Sequence, residues 1–298
     1  MPPEVNDVGR YSRIYANQLS EGIRKGKYML WERPAPPFIY AEVAGIPALY
    51  TAGAAQLDGI IVPGALGNNY IQMYQTTAQA LPPLWDAKGL NIAGDAVDNE
   101  SLELVPGGNT VNNPLGYLSG TDPGVFIRLT LESTDSSEID QLVIGWRKQE
   151  AFAVPVSFLT TGDALYTDFA GIGFSGTAVA NLVKTMTDLN NAGSTVVTST
   201  AFGWADTKIH QLEVRIKGRT VSYFINGRRI GETVRLDALG VAITAQPTVA
   251  GPTFRFDSGD FLVPFIFVRR GATVASALYA RRLEVGQLLE VGLQPENR

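Results

Sequence analysis

The stretch Leu212-Glu213-Val214-Arg215-Ile216-Lys217 decides the fold, because apolar and charged residues alternate strictly along it. Successive side chains of an extended strand point to opposite faces, so Leu212, Val214 and Ile216 share one face and the charged residues share the other. We expect the apolar face to be buried and the charged face to be wet. This arrangement is typical of one strand in an antiparallel sheet.

Turn residues follow this strand and separate similar runs elsewhere. Gly218-Arg219 permits a tight reversal into Val221 to Ile225, and Asn226-Gly227 tolerates the positive φ angles of a type I′ hairpin. Further runs of strand character are Gly124 to Leu131, Gln141 to Trp146, Tyr166 to Phe174, Thr195 to Phe202, Thr253 to Asp257, Leu262 to Val268 and Ala277 to Val285. Short alternating runs bounded by Gly, Asn, Asp and Pro predict an antiparallel sandwich.

The segment 176–189 fits two structures. Val179, Leu182, Val183 and Met186 lie at helical spacing, whereas Thr185 to Leu189 could be a strand before the turn at Asn190. The sequence leaves this choice open.

The hairpin region resembles a known fold family. His210-Gln-Leu-Glu-Val-Arg-Ile-Lys-Gly and Thr220-Val-Ser-Tyr-Phe-Ile-Asn-Gly-Arg are similar to paired strands of concanavalin A-like sandwiches. Phe261-Leu-Val-Pro-Phe-Ile-Phe-Val and Leu278-Tyr-Ala-Arg-Arg-Leu-Glu-Val resemble the two closing strands of that jelly roll. The resemblance covers residues 95 to 290 and implies a fold more than an activity.

Composition excludes several kinds of chemistry. The 298 residues include no cysteine and one histidine, His210, so thiol nucleophiles, disulfides and multi-histidine metal sites are absent from the sequence. The net charge of −5 argues against nucleic-acid binding. No apolar run approaches the roughly 20 residues of a membrane span, so we expect no membrane partner.

The first 89 residues differ from the rest and predict an extended N-terminal arm with a few short strands, followed by a jelly-roll sandwich over 90–298. The arm carries 7 basic and 7 acidic residues, which leaves 17 and 22 for the remainder. Its many prolines and glycines exclude long helices. A basic and aromatic stretch contains the candidate partner-binding residues Arg10, Tyr11, Arg13, Tyr15, Arg24, Lys25, Lys27, Tyr28, Trp31 and Arg33.

A basic, tyrosine-rich arm ahead of such a sandwich resembles the layout of cement or decoration proteins of tailed-bacteriophage heads. The resemblance implies a structural virion protein on the capsid surface, assembled in the host cytoplasm. It also implies two partners, the major capsid protein and further copies of the chain in a homotrimer. Several weak contacts would then act together through avidity.

The concanavalin A-like resemblance also implies two possible kinds of site, because that fold carries glucanases and calcium-binding lectins. Glu138-Ile-Asp140 resembles part of the E-x-D-x-E pattern of retaining glucanases, but Leu142 follows Gln141 and the second catalytic acid is missing. Asp257-Ser-Gly-Asp260 and Asp95-Ala-Val-Asp98-Asn99-Glu100 offer hard oxygen ligands without matching an ordered calcium loop. We therefore expect no enzyme, no catalytic residue, no cofactor and no metal, and a structural role for His210.

A carbohydrate-binding, lectin-like module of a phage fibre or tail is the alternative, with a glycan as partner. The aromatic candidates for stacking on sugar rings are Trp146, Tyr166, Trp204 and Tyr223. A glycoside hydrolase ranks third.

Overall fold

A computed structural model describes residues 27–32, 58–61, 66–67, 70–75, 84–86, 88–92, 101–151, 158, 166–175, 182–189, 196–230, 254–271 and 276–288. Within them two antiparallel sheets pack face to face, and the predicted all-β sandwich is confirmed. One short 3₁₀ turn, Ser136–Glu138, is capped by the Asp135 side chain. The residues that the structure covers contain no helix long and apolar enough to cross a membrane.

Sheet A has nine described strands in the order β16-β15-β14-β9-β18-β1-β3, with β6 beside β18 and β5 beside β6. These strands are β1 Tyr28–Glu32, β3 Leu66–Gly67, β5 Leu84–Asp86, β6 Gly89–Asn91, β9 Val125–Ser133, β14 Ile209–Lys217, β15 Thr220–Ile225, β16 Arg228–Arg229 and β18 Leu278–Gln287. The predicted turn between β15 and β16 is confirmed: Asn226 and Gly227 have φ angles of 51° and 77°.

Sheet B has nine described strands in the order β13-β12-β11-β10-β17-β7-β4-β2, with β8 beside β17. These strands are β2 Asp58–Ile61, β4 Tyr70–Gln75, β7 Ser101–Pro106, β8 Tyr117–Leu118, β10 Ile139–Lys148, β11 Phe169–Phe174, β12 Leu182–Asp188, β13 Val196–Gly203 and β17 Phe261–Arg270. The open choice at 176–189 is resolved in part, since Leu182–Asp188 is a strand. Residues 254–257 form only an isolated bridge through Arg255 rather than the predicted strand.

The main core lies between the sheets. Leu212, Val214 and Ile216 are fully buried in it, as their alternation predicts. The opposite face of that strand is not fully exposed to solvent. The prediction that Glu213 is solvent-exposed is therefore wrong. The Glu213 carboxylate is 2% exposed because Arg128 and Arg215 lie against it. Alternation identifies the two faces of a strand, but it cannot tell which charged side chains bury one another.

The segment before residue 90 contributes strands to both sheets. Strand β1 pairs with β18 on one side and β3 on the other, and its Met29 and Trp31 side chains enter the main core. Strand β4 pairs with β7 and β2 in sheet B. Residues 1–26 and most of residues 33–87 lie outside the described residues, so the division into an extended arm over 1–89 and a sandwich over 90–298 stays a prediction.

His210 has a structural setting, as the sequence predicts. Its ring packs against Trp204, with ring centres 4.5 Å apart, and edge-on against Phe202. Its Nε2 atom lies 3.3 Å from the Ala205 carbonyl oxygen. Burial lowers the pKa of His210, and the hydrogen bond to Ala205 opposes the shift.

This setting predicts an acid-dependent loss of stability. Because the folded state holds His210 neutral while the unfolded state takes up a proton below about pH 6.5, the free energy of unfolding should fall between pH 7 and pH 5. His210→Gln should lose less stability than the wild type over that range. Urea denaturation of both proteins at several pH values measures the difference, and parallel curves would contradict it.

Candidate functional site

Polar side chains gather at one end of sheet B. Antiparallel pairing brings the starts of β4, β11 and β17 to the same end as the finishes of β7 and β10. We call the cluster there the polar end, and it consists of Tyr70, Gln72, Asn109, Lys148, Glu150, Thr167, Asp168, Asp257 and Asp260. Strand ends are where a rigid sheet can present side chains to a ligand.

Asn109 connects Gln72 and Glu150 within the polar end through hydrogen bonds. Its backbone N–H donates to the Gln72 Oε1 atom at 2.6 Å, and its Nδ2 donates to the Glu150 carbonyl oxygen at 2.9 Å. The preceding Gly108 has a φ of +95°, and a Cβ there would stand 3.3 Å from the Tyr70 ring. Glycine therefore lets the backbone approach the ring closely, and the Tyr70 side chain stays 37% exposed.

Glu150 and Asp168 form the acidic side of the polar end. The Thr167 backbone N–H donates to Glu150 Oε1 at 2.8 Å, and the Thr167 hydroxyl lies within 3.4 Å of both carboxylates. Burial raises the pKa of the Glu150 carboxyl, against the opposing hydrogen bond from Thr167. Two carboxylates thus share one hydroxyl, which fixes their relative positions.

Lys148 bridges two segments of the polar end. Its Nζ atom lies 2.8 Å from Asp260 Oδ1 and 3.2 Å from Asp168 Oδ2. Donation to Asp260 raises the pKa of Lys148, with a further contribution from Asp168. Lys148 therefore stays an ammonium cation held between carboxylates.

A buried ion pair between Arg147 and Glu103 lies next to the polar end. Arg147 donates through Nε and Nη2 to Glu103 Oε1 at 3.0 and 2.7 Å, and both side chains are fully buried. The Tyr166 hydroxyl donates to the other Glu103 oxygen at 2.8 Å, and the Arg147 guanidinium lies 4.2 Å from the Tyr166 ring centre. Burial alone would lower the pKa of Arg147, but Glu103 together with Tyr166 and Tyr74 outweighs burial and raises the pKa. Arg147 also contacts Asn109 Oδ1 and the Lys148 carbonyl, which connects the pair to the polar end.

The outward face of sheet A carries a second ionic network. Arg128 donates to Glu213 and Glu284 at 2.9 Å each, and the Tyr28 hydroxyl donates to Glu284 at 2.7 Å. Arg282 approaches the same Glu284 carboxylate at 3.4 Å. These contacts tie β1, β9, β14 and β18 together.

The predicted arm residues are only partly described. Lys27 is exposed, whereas Tyr28 and Trp31 are 8% and 3% exposed within β1. The other candidates lie outside the described residues; they are Arg10, Tyr11, Arg13, Tyr15, Arg24, Lys25 and Arg33. A role of these ten residues in binding a partner stays a prediction, and Tyr28 and Trp31 also bind the chain's own sheet.

The acidic motifs fall in different places. Glu138 and Asp140 lie where β10 begins, at the opposite end from Lys148, and the Asp140 carboxylate is 3.6 Å from Arg269. Asp257 and Asp260 join Asp168, with one carboxylate oxygen from each lying within 4.8 Å of the others. The motif Asp95 to Glu100 lies outside the described residues.

The prediction that four aromatic side chains stack on sugar rings is wrong, because all four are buried. Exposure is 0% for Trp146 and Tyr166, 6% for Trp204 and 2% for Tyr223. Each fills a core, and the Trp146 indole N–H even donates to the Val214 carbonyl oxygen. Tyr70, the exposed ring, was missed because it opens a short strand within the Pro- and Gly-rich segment. The only sequence signal near it is Gly107-Gly108-Asn109, a turn able to approach a ring.

The sequence matches no protein-family model and no curated protein. Solved structures similar to this chain are lectin-like sandwiches. The carbohydrate recognition domain of Emp47p has a TM-score of 0.48 at 9% identity, covering 81% of this chain and 96% of that one. The carbohydrate-binding module CBM66 of Bacillus subtilis has a TM-score of 0.37 at 11% identity, covering 67% and 89%. The VIP36 lumenal domain with Ca²⁺ and Man3GlcNAc has 0.42 at 6%, covering 74% and 83%.

The chain itself forms an antiparallel β-sandwich of two sheets. At such low identities the resemblance is one of architecture. What this chain binds depends on its own residues.

Because Glu103 is buried and Asp257 is half-exposed, we expect two matched acid-to-amide substitutions to lower the free energy of unfolding by different amounts. Glu103→Gln should lower the free energy of unfolding by about 3–5 kcal/mol, because it leaves the buried Arg147 charge uncompensated. Asp257→Asn removes the partner of the half-exposed Arg219 and should change stability by less than about 1 kcal/mol. Urea denaturation measures both, and equal losses would contradict the role assigned to Glu103.

Proposed function

We propose that this chain is a carbohydrate-binding protein whose ligand site is the polar end. The supporting observation is that amide, carboxylate and ammonium groups from separate segments lie at the same end of sheet B as the exposed ring of Tyr70. Sugar hydroxyls both donate and accept hydrogen bonds, and the C–H face of a sugar ring stacks on an aromatic side chain. The polar end supplies both kinds of contact.

The remaining described surfaces of the sandwich offer less to a glycan. The outward face of sheet B is filled by a second apolar cluster, in which Phe158 packs against Phe169, Phe265 and Phe267 with ring centres 4.8 to 5.4 Å apart. On the outward face of sheet A, Glu213 and Glu284 are committed to Arg128. The polar end keeps the exposed Tyr70 and partly exposed amide, carboxylate and hydroxyl groups, which can each make more than one hydrogen bond.

We propose binding without turnover. Glycoside hydrolysis needs one carboxylic acid and one carboxylate on either side of the sugar bond. Here Glu150 and Asp168 meet at the same Thr167 hydroxyl, and Asp168 is fully buried in its pairing with Lys148. Glu150 is only partly buried and can accept a hydrogen bond from a ligand, whereas Asp168 accepts from Lys148 and Thr167 within the protein.

This proposal predicts saturable binding to a glycan that specific substitutions weaken. A glycan array identifies the ligand, and calorimetry then measures the Kd. Tyr70→Ala and Glu150→Gln should each raise the Kd about tenfold, which corresponds to roughly 1.4 kcal/mol. Ile209→Ala removes an apolar side chain of β14 that is more exposed than Tyr70, at 53% against 37%, and should leave the Kd unchanged.

Mass spectrometry of the recovered glycan separates binding from hydrolysis. Recovery of intact glycan supports binding without hydrolysis. Recovery of shortened glycan would show that the chain is a glycoside hydrolase instead. An array without any bound glycan, or equal effects of all three substitutions, would remove the polar end as the site.

We also propose capsid decoration as a second candidate function. The observation that favours it is that β1 forms the last part of the basic, aromatic stretch and is anchored between β18 and β3. A segment attached to a rigid strand can grip a neighbouring shell while the sandwich projects from it. The major capsid protein, further copies of the chain and a virion location belong to this proposal.

Removing residues 1–26 tests the second candidate while leaving β1 in place. The shortened chain should melt at the same temperature as the full chain, because the described core keeps all its strands, and it should no longer bind shells of the major capsid protein. Sedimentation with shells measures this. Undiminished binding by the shortened chain would remove the arm as the contact.

A further inference from the structure

Three carboxylates meet in the polar end as hard oxygen ligands would around a divalent cation. Asp168 lies just before β11, whereas Asp257 and Asp260 lie on the turn before β17. One oxygen of each is within 4.8 Å of the other two. Calcium favours several such oxygens at 2.3–2.6 Å. The donor set alone would suit a metal, so the surrounding charges decide whether it takes one.

A lysine already stands in this cluster. Lys148 is the last residue of β10, and its backbone N–H donates to the Asp168 carbonyl oxygen at 2.8 Å. Its ammonium group contacts both Asp168 and Asp260 at 3.2 and 2.8 Å. The third carboxylate, on Asp257, has Arg219 at 3.5 Å. Three negative charges therefore face two positive ones.

A divalent cation would have to approach the ammonium group that holds the same oxygens. Two unit charges 4 Å apart repel by about 4 kcal/mol at an effective dielectric constant of 20, and a doubly charged ion doubles that cost. The ion would also have to break the Lys148 contacts with Asp168 and Asp260. The residues present thus fit an internal cation better than a bound metal.

We propose that Lys148 is the built-in cation of this cluster, so that the polar end is organised without a divalent metal ion. The ammonium joins the start of β11 to the turn before β17, as a shared metal would. The buried Asp260 Oδ2 atom accepts no hydrogen bond within the described residues. It is an oxygen that a metal could use once the ammonium is gone. The consequence for glycan binding rests on the proposed function, whereas the metal measurement does not.

The test compares thermal melting in calcium and in EDTA, together with calcium titration by calorimetry. The wild type should melt at the same temperature in both and release no binding heat. Lys148→Met should melt lower in EDTA, and calcium should raise its melting temperature because Asp168 and Asp260 are left without their cation. Lys148→Arg keeps the charge and should remain insensitive to calcium. Lys208→Met, at an exposed lysine elsewhere, should behave as the wild type.

Calcium binding by the wild type, or a higher melting temperature in calcium than in EDTA, would overturn the proposal. So would a Lys148→Met protein that is as stable as the wild type and equally insensitive to calcium. If that variant does not fold in EDTA, refolding it with calcium distinguishes the cases: recovery supports the proposal and failure contradicts it. Glycan binding that requires calcium would remove this inference and leave the proposed function standing. If the chain binds no glycan, the expected results of the calcium measurements stay the same.

Discussion

The ion pair between Arg147 and Glu103 is the interaction on which the polar end depends. Removing two charges from water is costly, and the pair is tolerated because Glu103 accepts from both Arg147 and Tyr166. The remaining guanidinium N–H groups are directed at Asn109 and the Lys148 carbonyl. A charge pair that joins β7 to β10 thereby fixes the loops at their ends.

In the part of the chain that the structure describes, the outward faces of both sheets are occupied by the chain's own side chains. Sheet B is covered by an aromatic cluster around Phe158, and sheet A by the network around Arg128. When side chains of the protein occupy both outward faces, the ends of the strands are where a ligand can be bound. The polar end combines an exposed ring, amides, carboxylates and one ammonium there. Its internal pairing also explains how three close carboxylates coexist in one cluster.

Local patterns in the sequence predict much of the fold and little of the site. The alternation along Leu212 to Lys217 and the Asn226-Gly227 turn act between near neighbours, so they are readable directly. Glu213 is buried by Arg128, which is distant in sequence, and alternation cannot show this. Asn109, Glu150 and Asp168 meet through pairings of strands that no single segment encodes. The aromatic candidates failed because residue type does not reveal which face of a strand is covered.

Chemical-shift mapping with the glycan selected by the array tests the central claim most directly. In isotope-labelled protein, we predict that shifts concentrate in residues 70–72, 107–113, 148–150, 166–168 and 257–260. The backbone of β10 and β11 beneath them should move little, because the Arg147–Glu103 pair arranges the site before the ligand arrives. Shifts centred on Arg128, Arg215 and Arg282 of sheet A, or rearrangement throughout β7 and β10, would contradict the account.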